Sequence, residues 1–370
     1  MSLRTPKVTY KAYTYRSGSS PIELVNETIG LVEGPHGDYV APKGKILVKI
    51  NYASLNPVDY KVYQKTPRIL SFYNPHKGFG KDFSGRVISI GANAQTDVKV
   101  GDLVQGLNWP IYGGGSCAQY LLVNPVWSPI TTVPTNIDLI EAASFPLVLG
   151  TAMQMTHDMK FKESKVLVLG AGTSVGRYNV QLAKIGGARE IVTTNSAKTS
   201  DLIRELGATS QIDYRKHPNF LYPVLESVKQ SGQFDYILDC WGGNQLFPEI
   251  DSIIKRGGRY YSIVGDSPEG AIKAMIGTTK ARLRMVGSAL GLIKYHYTLG
   301  LLSSNRGNKG WINLARDLIQ AGKLQIFVDS VYPFNELHEA IDKLESGGAQ
   351  GKIVLEVAKP HEEAPQNPFN

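Results

Sequence analysis

Val166-Leu167-Val168-Leu169-Gly170-Ala171-Gly172-Thr173-Ser174-Val175-Gly176 is the stretch that decides the architecture of this chain. An apolar strand over residues 165–169 runs straight into a turn of small residues, and residues 175–185 follow with an apolar face at helical spacing. Small residues there let the backbone approach a pyrophosphate. The free N–H groups and dipole at the head of the next helix favour its charge. Gly170, Gly172, Thr173, Ser174, Val175 and Gly176 are therefore candidate dinucleotide ligands. A tight strand-to-helix turn without a ligand would look similar locally, but the pattern repeats downstream. Residues 190–194 read as the next strand and 199–206 as the next helix, stopped by Gly207-Ala208; 234–238 and 259–264 read as further buried strands. This alternation predicts an α/β fold, a Rossmann-type doubly wound parallel sheet.

The end of the second strand carries the next signal. An NAD-preferring protein of this kind places an acid there to hold the ribose hydroxyls. This chain has Thr194-Asn195-Ser196-Ala197-Lys198, with no acid until Asp201. Hydroxyl, amide and cation suit a 2′-phosphate, so NADPH is the expected cofactor. The plain alternative is that Lys198 is an ordinary solvated lysine.

The bulk properties agree with a two-domain globular protein. The chain has 370 residues, 42% of them hydrophobic and 19% charged, enough for two ordinary cores. A net charge of +8 suits an anionic partner. No basic run interleaved with aromatics and no zinc-finger spacing appears, so nucleic acid is not the expected one. Cys117 and Cys240, the only cysteines, allow at most one bridge and point to a reducing compartment. No apolar leader and no run long enough to span a bilayer is present. Arg4, Lys7, Lys11 and Arg16 have the basic look of a mitochondrial presequence, but residues 8–15 are β-prone and read as a first strand. Residues 1–134 are strand-and-turn in character, with 46–50 and 83–90 as good strands; 352–357 is a closing strand, and the Pro-bearing tail from Lys359 reads as disordered.

Other stretches become informative only as an ordered series. These are Asn56-Pro57-Val58-Asp59, Gly80–Gly85, Gly101-Asp102-Leu103-Val104, Glu141–Pro146, Gly150-Thr151-Ala152, the Gly170–Gly176 turn, Ile212-Asp213-Tyr214, Gly257-Gly258-Arg259 and Gly351–Val354. Together they resemble the medium-chain dehydrogenase/reductase superfamily over residues 8–357, in its zinc-independent quinone oxidoreductase (zeta-crystallin-like) branch. Thr173-Ser174 and Asp329–Tyr332 look most like a fungal group, whose members imply a cytoplasmic site or association with lipid droplets or mitochondria. The resemblance implies a GroES-like β-domain (residues 1–134 and 305–357), a Rossmann domain (135–304) and a tail (358–370). It implies Asn56, Asp59 and Lys61 near the nicotinamide ribose and Thr151 by the carboxamide. Ser196, Lys198 and Tyr214 would flank the 2′-phosphate and base, the turns after Asp239 and Val264 would complete the cofactor wall, and Lys352 is a further cofactor-binding candidate. Tyr60 and Lys61 are proton-donor candidates by location only. Thr173-Ser174 stands where the branch commonly has a glycine pair; the two hydroxyls could donate to phosphate.

The implied activity is NADPH-dependent hydride transfer to a quinone or an α,β-unsaturated carbonyl, by a monomer or homodimer. The rival is a non-catalytic binding or targeting protein that keeps the fold. No zinc is expected, because zinc-dependent relatives use four cysteines for a structural ion and this chain has two. Where those relatives place a His-Glu pair in the glycine-flanked turn, this chain has Lys81-Asp82. Residues 271–305 carry Lys273, Lys280, Arg282, Arg284 and Lys294 among apolar residues without one acid, a pattern compatible with peripheral contact to anionic lipid.

Overall fold

The computed structural model describes residues 6–35, 37–109, 112–266, 271–300, 302 and 310–359, with 271–278 described by backbone alone. The chain divides into two compact units, residues 1–147 with 303–370, and residues 148–302.

The first unit is β-rich. Strand β1 (Lys7–Tyr15) pairs antiparallel with β2 (Glu23–Gly30), so Lys7 and Lys11 belong to a strand, not a presequence helix; Arg4 lies outside the described residues. A long central strand, β3 (Ile46–Leu55), is buried along almost its whole length and leads into helix α1 (Pro57–Lys65). Proline at the first helical position costs no hydrogen bond, since that N–H would lack an intrahelical partner anyway. Antiparallel to β3 run β4 (Asp82–Ile90) on one side and, on the other, β5 (Tyr120–Val123) and the C-terminal β12 (Lys352–Glu356). The chain's end thus completes the sheet of its beginning. Tyr13, Val48, Ile50, Phe83, Leu121, Ile353 and Leu355 meet in the core of this unit.

The second unit is a six-stranded sheet in which every pairing is parallel. Its strands are β6 (Lys165–Leu169), β7 (Glu190–Asn195), β8 (Ser210–Asp213), β9 (Phe234–Asp239), β10 (Ile254–Ser262) and β11 (His296–Leu299). Their spatial order, β8-β7-β6-β9-β10-β11, is the doubly wound order 3-2-1-4-5-6. All five residues of β6 are buried, as an unbroken apolar run requires when a parallel strand is covered on both faces. Strand β10 begins five residues before the expected start at Arg259 and stops at Ser262. The stop is chemical: Ser262 Oγ accepts from the amides of Val264 (3.3 Å) and Gly265 (2.9 Å), turning the chain out of the sheet.

The stretch 271–305 forms helix α3 (Ala271–Ala289) and strand β11, numbering α2 as the helix Ser174–Ile185. Two of its cations do not face outward as a lipid surface would need. Arg284 grips Asp266 at 2.5–2.6 Å with its guanidinium 3.4 Å over the Phe247 ring, and Lys294 donates to the Asp251 carbonyl. Lys280 and Arg282 are exposed, with Leu283, Val286, Leu290 and Leu292. Residues 303–305 and the tail from Pro360 fall outside the described residues, and no helix among the described residues is long and apolar enough to cross a membrane.

Candidate functional site

Strand order reverses between β6 and β9, and the turns after these two strands meet at that switch point. Gly170 follows β6 with φ +73°, a left-handed conformation that costs other residues energy, and a Cβ there would lie 3.2 Å from Trp241 Cβ. Gly176 is needed for a different reason: a Cβ on it would sit 2.3 Å from the Gly170 carbonyl oxygen, so α2 can press against the turn only without one. Thr173 caps α2. Its hydroxyl accepts from Gly176 N (3.1 Å) and donates to Gly170 O (2.8 Å), so its proton is spent within the turn. Ser174 and Val175, half-buried at the head of α2, and Gly172 leave the backbone open there. The cradle fits a dinucleotide pyrophosphate: glycines where a Cβ would intrude, and a twelve-residue helix aimed from it.

Asp239, at the end of β9, organises the opposite turn. It accepts from Trp241 N (3.0 Å), Gly242 N (2.7 Å), Ser262 Oγ (2.9 Å) and Tyr260 OH (3.2 Å). Burial raises its pKa, and the four donors oppose the rise. Further out, Tyr214 follows β8 and its ring stacks on Trp241 at 5.9 Å and 21°. Both rings are exposed, Trp241 by half its surface, and offer flat faces at the carboxyl ends of the strands. Ser196 is buried at the end of β7, and Lys198 is exposed in a short 3₁₀ turn with no ion pair among the described residues. Asp201, the first acid after the strand, is engaged by Arg204 at 2.7 Å. Val264, exposed, lies in the turn after β10, and Thr151 is buried in the helix Pro146–Thr156.

The remaining expected residues lie in the first unit, where three of them join a buried ion cluster. Lys352 Nζ donates to Leu55 O (2.9 Å), Asn56 Oδ1 (2.5 Å) and Asp82 Oδ2 (3.3 Å). Asn56 Nδ2 and Ser54 Oγ also donate to Asp82 Oδ2, at 2.9 and 3.2 Å, and Leu147 N donates to Asp82 Oδ1 at 2.9 Å. Both ends of the Asn56 amide and the Lys352 ammonium are thus engaged inside the unit. Asp59 accepts from Asn56 N at 2.8 Å and is buried; desolvation lifts its pKa to about 7 against the pull of Lys81. Lys81 is buried too, and desolvation lowers it to about 8 while Asp59 holds it up. Tyr60 packs half-buried on the apolar core, whereas Lys61 is exposed. Tyr60 and Lys61 therefore occupy different environments, and neither touches the cluster through a described hydrogen bond.

Profiles of two families match the chain: the alcohol dehydrogenase GroES-like domain over residues 42–134 and zinc-binding dehydrogenase over 206–355. Protein YIM1-2 of Lachancea thermotolerans is 30% identical over 377 residues, covering 95% of this chain and 99% of its own length. The chain belongs to the medium-chain dehydrogenase/reductase superfamily. Protein YIM1 of Saccharomyces cerevisiae is 29% identical over 372 residues, covering 95% and 98%. Among solved structures, the quinone oxidoreductase of Coxiella burnetii superposes with a TM-score of 0.72 at 25% identity, covering 95% of this chain and 100% of its own. As a superfamily member this chain is an oxidoreductase with a nicotinamide dinucleotide cofactor. The turn after Asp239 was expected in the cofactor wall, but the Trp241 ring within it escaped the sequence reading. A tryptophan two residues past a buried strand's terminal acid was the available signal, but only the meeting of the β6 and β9 turns gives it meaning.

Proposed function

We propose that this medium-chain reductase uses NADPH, works without zinc, and reduces a quinone or an α,β-unsaturated carbonyl. The observation that supports the cofactor choice most is the end of β7. Buried Ser196 and exposed Lys198 stand there, and the nearest following acid is already paired with Arg204. When bound, the nicotinamide supplies the hydride. The chain's own part is to hold the dinucleotide in place. Backbone amides at the head of α2 receive the pyrophosphate, the Tyr214 and Trp241 rings offer stacking faces to the base, and Lys198 meets the 2′-phosphate as a point charge. Tyr60 and Lys61 stay the candidate proton donors in this reading.

The zinc-free reading rests on donor chemistry. No group of three or more His, Cys, Asp or Glu among the described residues could hold a metal, and Cys117 and Cys240 lie in different units. A lysine, Lys81, precedes the buried Asp82, whose oxygens are committed to Lys352, Asn56, Ser54 and Leu147. Zinc does not suit that donor set, and no step is routed through it.

Fluorescence titration with NADPH and NADH, followed by oxidation of the bound nucleotide with a panel of quinones and enones, tests the reading. NADPH should bind more tightly. A charge-assisted contact is worth on the order of 1.5–3 kcal/mol, so Lys198→Ala should weaken NADPH roughly ten- to a hundredfold and leave NADH unmoved. Equal weakening of both would put Lys198 in a supporting role. NADPH binding without turnover of any acceptor would favour the binding-protein reading.

A further inference from the structure

We propose that the loop after α1 is a membrane-docking wedge for anionic lipid: Ile69, Phe72 and Tyr73 enter the bilayer interface while Lys65 and Arg68 face its headgroups. Phe72 and Tyr73 are 81% and 86% exposed and Ile69 is 60% exposed, three large apolar side chains within five residues. Ile69 lies in the 3₁₀ turn Arg68–Ser71, which Phe72 ends in helical conformation. Residues three apart eclipse in such a turn, so Ile69 and Phe72 share a side. Scattered single apolar residues on a surface need no explanation, but a contiguous group does.

The loop is held in shape from beneath. The Lys77 ammonium, buried, donates to the carbonyls of Asn74 (2.6 Å), Arg16 (2.8 Å) and Leu70 (3.3 Å), spending a lysine to fix the backbone on which the apolar side chains stand. Asn74 Nδ2 adds a bond to Tyr112 O at 2.7 Å. Charge points to the partner. Between Asp59 and Asp82 the chain has no acid, and Lys65 and Arg68 are exposed beside the wedge. Of the acids on other elements that approach this region, Glu345 bonds Gln64 and Glu27 pairs with His76, while exposed Glu23 lines a cavity with Pro75 and His76. Projecting apolar side chains with cations on one flank suit a deformable anionic acceptor, which a lipid interface provides without a matching cavity.

The test is flotation of the full chain with vesicles of phosphatidylcholine alone and of phosphatidylcholine mixed with phosphatidylserine. Binding should require the anionic lipid and weaken as salt rises. Phe72→Ser with Tyr73→Ser should reduce partitioning by roughly tenfold or more, and Lys65→Glu with Arg68→Glu by a similar factor. Leu290→Ser with Leu292→Ser, on the other exposed apolar stretch, should change it little. Circular dichroism and urea midpoints confirm that each variant is folded. No flotation of the wild type at low salt overturns the proposal, as does flotation insensitive to the loop substitutions. A loop variant that floats normally but changes its sedimentation coefficient assigns the wedge to a second copy of the chain. One that floats normally but loses kcat/KM with a soluble quinone assigns it to substrate. Either result also overturns the proposal.

Discussion

Both polar sites of this molecule sit where strands end, yet they are made of opposite materials. In the second unit the turn after β6 is built from glycines, small side chains and backbone N–H groups, with few ionised groups of its own. In the facing turn the carboxylate of Asp239, at the end of β9, is turned inward to hold a loop. In the first unit the end of β3 and the start of β4 enclose side-chain ions, Asp59, Lys81, Asp82 and Lys352, which are engaged with one another and with Asn56. One site offers partial charges for a ligand to complete, and the other has completed itself. The first kind is sensitive to volume, because a single methyl blocks it. The second is sensitive to charge, because removing one ion leaves its partner buried and alone.

The largest effect should come from breaking the ion cluster. Asp82→Ala strands the Lys352 ammonium without its carboxylate and should cost about 3–5 kcal/mol of stability, read from urea unfolding. Asp82→Asn, which keeps the shape, should cost less than Asp82→Ala; equal costs would mean that packing, not charge, holds this region. At the glycine turn the probe is volume. Gly176→Ala places a methyl 2.3 Å from the Gly170 carbonyl. It should cost about 1–3 kcal/mol and weaken dinucleotide binding by an order of magnitude or more in a fluorescence titration. Unchanged binding would show that α2 can shift without disturbing the cradle.

A subtler test is pH. Asp59 keeps its proton up to about 7 in the folded chain against an ordinary 3.8, so the stability it contributes is full below about 4 and is lost as pH rises towards about 7. Lys81, lowered to about 8 from 10.5, has the mirrored effect: its contribution is full above 10.5 and is lost as pH falls towards about 8. Asp59→Asn should flatten the acid-side decline in urea midpoints; an unchanged slope between pH 4 and 7 would remove Asp59 from the cluster's energetics. The smallest effect belongs to the helix cap. Thr173→Val deletes both bonds of its hydroxyl and should cost about 1 kcal/mol, while Thr173→Ser should recover most of it. If Thr173→Val instead abolished NADPH binding with stability intact, the hydroxyl would be a phosphate ligand after all.

The sequence by itself determined the doubly wound half. Residues 165–194 announced strand, glycine turn, helix and strand because those signals are local: an apolar run, a residue that tolerates positive φ, a period of 3.6. The missing acid after β7 was equally local and pointed to Lys198. What only the tertiary structure decided depends on residues distant in the chain. Asn56, Asp82 and Lys352 lie up to 296 positions apart and become one cluster because β12 pairs with β3. Trp241 meets Gly170 only at the switch point between β6 and β9. Arg284, read as a lipid-facing cation, turned inward because Asp266 and Phe247 were there to receive it. Pairings of this kind carry no periodicity and no spacing, since the geometry that creates them is supplied by the sheet rather than by the neighbouring residues.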